Sequence, residues 1–329
     1  MASPVDTLRL LRLFRSDPPP LVETDPERRA VYSAASEQFE QLLSASATVG
    51  FAARPLTLFY ALSQGVRGFA AAAVSAPDWQ PRAHGATQRN GASVVSASIE
   101  VKKNGSLGLL STALNAPRFT GSIRLAAVWS AVPELATLPI DSAVPRALDV
   151  QLSELESGPA AAARVWVSNL PDHLRGAPVE DLTRELERYP TPLGYGRPAL
   201  LYETPFWRSD VLAVDWPAVP VPERGAGYVD IYKTFEAIAL RRSDGSCWLV
   251  PSIDDHGHVP HPLQAWWLVL FSLSMFARYQ PAEWREALDV DRSQVAVPLE
   301  HALDVALTAL PELIFQTLLD LVEKVGSNE

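Results

Sequence analysis

Two arginines set in similar frames, Arg67 in LFYALSQGVRGF and Arg278 in LVLFSLSMFARY, are the side chains of this sequence best placed to do chemistry. Leu62-Ser63 precedes Arg67 by the spacing that separates Leu273-Ser274 from Arg278. A serine and an arginine four apart share a helical face, so the hydroxyl can bond a preceding carbonyl while the guanidinium reaches an anion. Buried arginines need carboxylate partners, and the favoured reading is a structural ion pair in the core. The competing reading aims both guanidiniums at one phosphate between the terminal helices, since their planar forks of donors match such an anion.

The stretch PRAHGATQRNGASVVSASIEVKKNG gathers Arg82, His84, Arg89, Lys102 and Lys103 against a single acid, Glu100. A solvated hairpin with a protective charged edge is the plain expectation. Phosphate contact to a nucleotide or nucleic acid is the functional one. The segment DDHGHVPH is the densest set of potential metal ligands, with His256, His258 and His261 beside Asp254 and Asp255. Gly257 and Pro260 mark it as a loop, and a polar loop is favoured over a zinc site. No cofactor is expected. The sequence contains no Walker A stretch, no GxSxG elbow, no HExxH and no CxxC pair, and GYGRP at Gly194 to Pro198 reads as a turn.

Composition narrows the function classes. Charged residues make up 20% and hydrophobic residues 47%, as in ordinary soluble proteins. The formal charge of -10 argues against a chain that coats nucleic acid, although local basic patches are compatible with it. The lone Cys247 and an N-terminus without a continuous apolar stretch point to the cytoplasm. The apolar window Ala265 to Ala277 falls short of the ~20 residues a membrane span needs, so no membrane association is expected.

Helical periodicity governs the first region, to about residue 90, with Val31, Ala35, Phe39 and Leu42 on one face and a second helix from about Pro55. From residue 91 to about 260 the period shortens to two. Val95, Ala97, Ile99 and Val101 alternate with polar residues, Asn104-Gly105 reads as a hairpin turn, and Asp244-Gly245 turns a second hairpin. ALDVQLSEL, AARVWVSNL, LLYETPF and DVLAVDW read as strands, VEDLTRELERY as a helix. Residues 261 to 329 return to helices, with Pro281 in a favoured first-turn position and Pro311 expected to kink or break the last one. Helices, strands, then helices predict an α+β fold, with terminal helices packed as a bundle and a mainly antiparallel β region between them.

FYALSQGVRGFAAA, RAHG, VWSAVPEL, WWLVLFSLSMFARYQPAEW and LTALPEL, in that order, resemble the YaaC-like family of bacterial proteins. The resemblance implies a cytoplasmic protein with no assigned activity or cofactor, an accessory component in antiviral-defence or nucleic-acid contexts. A HEPN-type ribonuclease would need a different spacing: Arg67 and His84 are too far apart for its Arg-His pattern, Arg82 and His84 too close. Two functional expectations remain. One is an accessory or scaffold protein acting through a protein partner, for which the nine tryptophans offer interface anchors. The other is an enzyme or sensor acting on a nucleotide or phosphodiester through Arg67, Arg278 and His84. Convergence of those three within hydrogen-bond reach of one another would favour the enzyme or ligand reading, and separation of all three would rule it out.

Overall fold

Asp25, Pro26 and the apolar spacing that follows explain where the first long helix begins. The Asp25 carboxylate accepts hydrogen bonds from the backbone N–H groups of Glu27 (2.9 Å) and Arg28 (3.2 Å), and Pro26 supplies a preset first turn. In the computed structural model, which describes residues 4–89, 91–152, 162–171, 174, 177–191, 199–201, 212–217, 239–242 and 245–326, helices predominate over strands among the described residues. The α+β expectation holds.

The chain divides into two compact units. The helical one comprises residues 2–129 and 260–329. It contains α1 (Pro4–Ser16), α2 (Pro20–Glu23), α3 (Pro26–Ser46), α4 (Arg54–Ala73), α5 (Ser106–Leu114) and most of α6 (Leu125–Ser130). After the second unit it resumes with α8 (Pro262–Tyr279), α9 (Pro281–Ala287) and α10 (Ala296–Gly326). Helix α4 packs on α3, α8 and α10. Tyr32, Ala35, Phe39 and Leu43 of α3 and Leu58, Leu62, Val66 and Phe69 of α4 are all buried. At Gly65 a methyl group would lie 3.1 Å from Ile314 and 3.2 Å from Phe39, so its absence lets α3 and α10 close on α4.

The same unit holds a small antiparallel sheet in the order β1-β2-β3, from Ala86–Gln88, Ser98–Val101 and Gly121–Arg124. Gln88, Ile99 and Ile123 lie opposite one another on its buried face. The change of period at residue 91 therefore does not mark the boundary between units, because this sheet clusters with the helices. Asn104-Gly105 also departs from expectation: β2 runs into α5, with Gly105 as the residue that caps it.

Polar residues inside the apolar α8 are accounted for by neighbours. His261 and Gln264 form a reciprocal cap, with Leu263 N–H donating to His261 Nδ1 and His261 N–H donating to Gln264 Oε1. The Gln264 amide donates to Ser111 Oγ and the Pro117 carbonyl, both at 2.8 Å, tying α8 to α5. Ser272 donates to Gln88 Oε1 at 2.6 Å, tying α8 to β1. Pro311 does not break α10, which is helical throughout. A helical proline costs roughly 3 kcal/mol. Burial of Leu310, Leu313 and Ile314, at about 1.5–3 kcal/mol each, outweighs it. Over Ala296–Glu323 this helix is long and apolar enough to span a membrane by composition alone, and 44% of its most apolar window is buried in the protein.

Arg28 is the charged residue that closes the α3–α4 pair. Its Nη1 donates to the carbonyls of Ala71 and Val74, both at 2.8 Å, and its guanidinium lies 4.8 Å from the Trp79 ring centre. These carbonyls end α4 and would otherwise be buried without donors. Arg28→Met is expected to cost about 2 kcal/mol, the loss of a charged hydrogen bond, and to lower the melting temperature by roughly 4–8 °C in a thermal melt followed by circular dichroism.

The second unit covers residues 130–259. Its six-stranded antiparallel sheet runs β6-β7-β5-β4-β9-β8, from Ala199–Leu201, Leu212–Pro217, Ala162–Val167, Leu148–Leu152, Cys247–Leu249 and Ala239–Arg241. Val150, Val165, Val167 and Val214 pack with Leu182 and Leu186 of α7 (Val179–Leu186). Cys247, half-buried in β9, packs against this cluster. Strands occur within each expected segment, over 148–152, 162–167, 199–201 and 212–217, and α7 is in place; residues 153–155 of ALDVQLSEL, 202–206 of LLYETPF, 210 and 211 of DVLAVDW, Asp244 and the 194–198 segment lie outside the described residues.

A candidate anion-binding cleft

A cleft of about 240 Å³ opens in the helical unit where α4, β1 and α8 meet. Helix α4 contributes Leu56, Phe59 and Tyr60, and α8 contributes Phe271, Ser274, Met275, Arg278 and Tyr279. His84, Ala86, Thr87 and Gln88 come from β1 and the residues before it. β1 is the edge strand of its sheet, so its free edge is available to the cleft. Lys102 N–H donates to the Gly85 carbonyl at 2.8 Å, which makes residues 85 and 102 a hydrogen-bonded pair. By the alternation of an antiparallel ladder, the backbone groups of Ala86 and Gln88 then point away from β2, toward that open edge.

Backbone clamping holds His84 in place. The first N–H groups of α5 donate into the loop, Ser106 to the Ala83 carbonyl (2.8 Å) and Leu107 to the His84 carbonyl (3.3 Å). The imidazole then packs among aromatic rings, its centre 5.1 Å from Phe59, 6.3 Å from Phe271 and 6.4 Å from Trp267. Trp267 and Phe271 are themselves stacked, 5.3 Å apart and 4° from parallel. Burial against these rings holds the His84 pKa below its ordinary value, and the positive charges of Arg278 and Arg67 lower it further.

Arg278 lines the cleft with His84, whereas Arg67 does not line it and acts on the imidazole only through its positive charge; among the described residues no hydrogen bond joins any two of the three. Neither arginine is buried, and neither forms an ion pair with a carboxylate among the described residues. The favoured expectation of buried structural ion pairs is therefore corrected: these helices end their shared frames at the surface, where arginines keep their charge hydrated. Arg278 Nη1 donates to the Tyr60 hydroxyl at 3.3 Å, and its guanidinium lies 5.1 Å from the Tyr279 ring centre. Ser274 donates to the Phe271 carbonyl at 2.7 Å, whereas the buried Ser63 hydroxyl has no partner.

The other basic residues, Arg67 among them, do not line this cleft. Arg82, Arg89, Lys102 and Lys103 are exposed, and none makes an ion pair among the described residues. The histidine segment is arranged differently. His258 Nδ1 lies 2.8 Å from Asp254, whose carboxyl burial pushes up but whose hydrogen bonds from the His258 backbone and ring and the His256 backbone hold below its usual range. His261 spends Nδ1 on the α8 cap. No group of three or more metal-ligating side chains occurs among the described residues.

A family model, YaaC-like Protein, matches residues 21–318. The chain belongs to the YaaC-like family. No curated protein and no solved structure matches it. What the cleft of this YaaC-like chain can do thus rests on its own residues: the Arg278 guanidinium without an acidic partner among the described residues, an imidazole that resists protonation, and a largely aromatic floor. Tyr60, Thr87, Gln88, Phe271 and Tyr279 escaped the sequence reading. A signal was there, since Tyr60-Ser63-Arg67 and Phe271-Ser274-Arg278 share an aromatic-serine-arginine frame at positions i, i+3 and i+7.

Proposed function

We propose that the chain binds a phosphate-bearing ligand of the nucleotide or phosphodiester class in the α4–β1–α8 cleft, as a sensor or an enzyme. The observation that carries this reading is that Arg278 and His84 line one cleft, with the charge of Arg67 also felt at the imidazole and no carboxylate paired with either guanidinium among the described residues. Guanidiniums left unneutralised at a concave surface favour an anion, and Phe59, Phe271 and Tyr279 offer apolar area to a planar ring. The scaffold reading rested partly on tryptophans as interface anchors. Trp129, Trp266, Trp267 and Trp284 are core residues, which removes much of that support. A role through a protein partner is tested separately, by identifying what co-purifies from the native host.

A thermal-shift screen of nucleoside mono- and diphosphates, dinucleoside monophosphates and inorganic phosphate tests the ligand class. A ligand at 100 times its Kd stabilises the folded state by about 2.7 kcal/mol. Stabilisation by a phosphate-bearing ring compound, and not by its dephosphorylated nucleoside, is the expected result. No shift from any of them contradicts the reading.

The pH dependence has a definite sign. In the free protein His84 resists protonation, so between its folded pKa and about 6.5 the unfolded chain binds more protons. Its contribution to stability is present above that upper value and lost as pH falls through the folded one. A bound phosphodiester offsets the two guanidinium charges and raises the imidazole's proton affinity, so binding takes up a proton. Affinity for a dinucleoside monophosphate, whose diester does not titrate in this range, is expected to tighten several-fold as pH falls from about 7.5 to about 5.5. Calorimetric titration of wild type and His84→Gln checks this; the variant should show a flat profile.

A further inference from the structure

We propose that the ligand is a segment of single-stranded nucleic acid, lying along the open edge of β1 with one base in the cleft and its backbone phosphates on the basic residues at both ends of that strand. The inference rests on the phosphate-binding reading of the cleft and extends it along the sheet edge. Lys102 is opposite Gly85 at one end of β1, with Arg82 and Lys103 nearby in the chain. Arg89 follows β1 immediately at the other end. From Gly85 to Arg89 is about 13 Å of extended chain at roughly 3.3 Å per residue, too far for one phosphate to bridge. Cations at both ends of an edge strand, with an aromatic cleft beside it, suit a chain of several phosphates and a stacked base.

The sheet edge supplies what a base requires. The outward backbone groups of Ala86 and Gln88 offer donors and acceptors in one plane, and the Gln88 amide, held through Oε1 by Ser272, has no partner on Nε2 among the described residues. Glu100 is opposite Thr87 in β2 and repels phosphate from the sheet surface, which places the track on the edge of β1. A duplex keeps its base edges paired and cannot offer one to this cleft. The overall charge of -10 further limits attraction of a polyanion to this local patch.

The test is fluorescence anisotropy of the full chain with labelled single-stranded RNA and DNA octamers, their duplexes, and an unlabelled mononucleotide as competitor. Binding of either single strand at least tenfold tighter than the mononucleotide or the duplex is expected, with a salt dependence corresponding to about three phosphates. R82A/K102A/K103A should weaken octamer binding at least tenfold and reduce that salt slope while leaving mononucleotide affinity unchanged. Arg89→Ala should weaken octamer binding from the opposite end. Octamers that bind no tighter than the mononucleotide, duplexes that bind equally well, or a triple variant that binds octamers normally would overturn the inference and leave the phosphate-cleft reading intact. Failure of octamers and mononucleotide alike would overturn both.

Discussion

Gly105→Ala is expected to lower the melting temperature of the protein by roughly 6–12 °C and to abolish ligand binding in the cleft, although residue 105 does not line it. Gly105 has φ 121° and ψ -170°, a region essentially closed to residues with a side chain. A methyl group there would lie 2.5 Å from both Cα and N of Gly85 and 2.9 Å from the His84 carbonyl carbon. Gly85 is equally constrained, with φ 80° and the Asn104 carbonyl 2.5 Å from the place a side chain would occupy. The two glycines allow the loop before β1 and the start of α5 to cross at backbone contact. That crossing brings the first N–H groups of α5 onto the Ala83 and His84 carbonyls. Strain in this region costs 1–3 kcal/mol and the backbone overlap adds to it, so about 3 kcal/mol is expected in all. At 2–4 °C per kcal/mol for a unit of this size, the melting shift follows. Differential scanning calorimetry measures the first effect and ligand titration at low temperature, where the variant is still folded, measures the second.

Removal of the guanidiniums should also weaken binding, but with stability kept. Arg278→Ala deletes a charged donor that lines the cleft, worth about 1.5–3 kcal/mol if it contacts a phosphate, or roughly tenfold to more than hundredfold in Kd. Arg67→Ala removes the second charge acting on His84, and R67A/R278A is expected to bind more weakly than either single variant. Both side chains are exposed, so the melting temperature should change little. Arg278→Lys keeps the charge but not the planar fork, and an intermediate affinity is expected. Affinities from calorimetry, set beside melting temperatures of the same variants, separate this outcome from simple unfolding.

Much of this architecture was legible because the hydrophobic period reports which face of an element is buried. Ala35 and Phe39 in α3, and Ile99 and Val101 in β2, are buried as their spacing requires, whereas Val31 and Leu42 are half-buried and their neighbours Tyr32 and Leu43 take the core positions. Local turn chemistry was less informative: Asn104-Gly105 is a hairpin signal in isolation, and only the tertiary crossing with Gly85 makes it the start of a helix. Pro311 shows the same limit, since its local cost is set against apolar burial contributed by other helices. At the site, the paired arginine frames were visible in the sequence, but their exposure was not. Charge and spacing do not reveal whether a guanidinium meets a carboxylate. Edge-strand residues Thr87 and Gln88 could not be placed from periodicity because β1 has only three residues.

The central claim is that Arg67, Arg278 and His84 act on one anion, and the imidazole itself reports it. Titration of the His84 ring by NMR, in the free protein, in Arg278→Ala and with a bound dinucleoside monophosphate, measures the field at the cleft directly. A pKa below the usual histidine value is expected in the free protein, with a rise when Arg278 is removed and a rise when the phosphodiester binds. A His84 that titrates at its ordinary value and responds to neither change would contradict it.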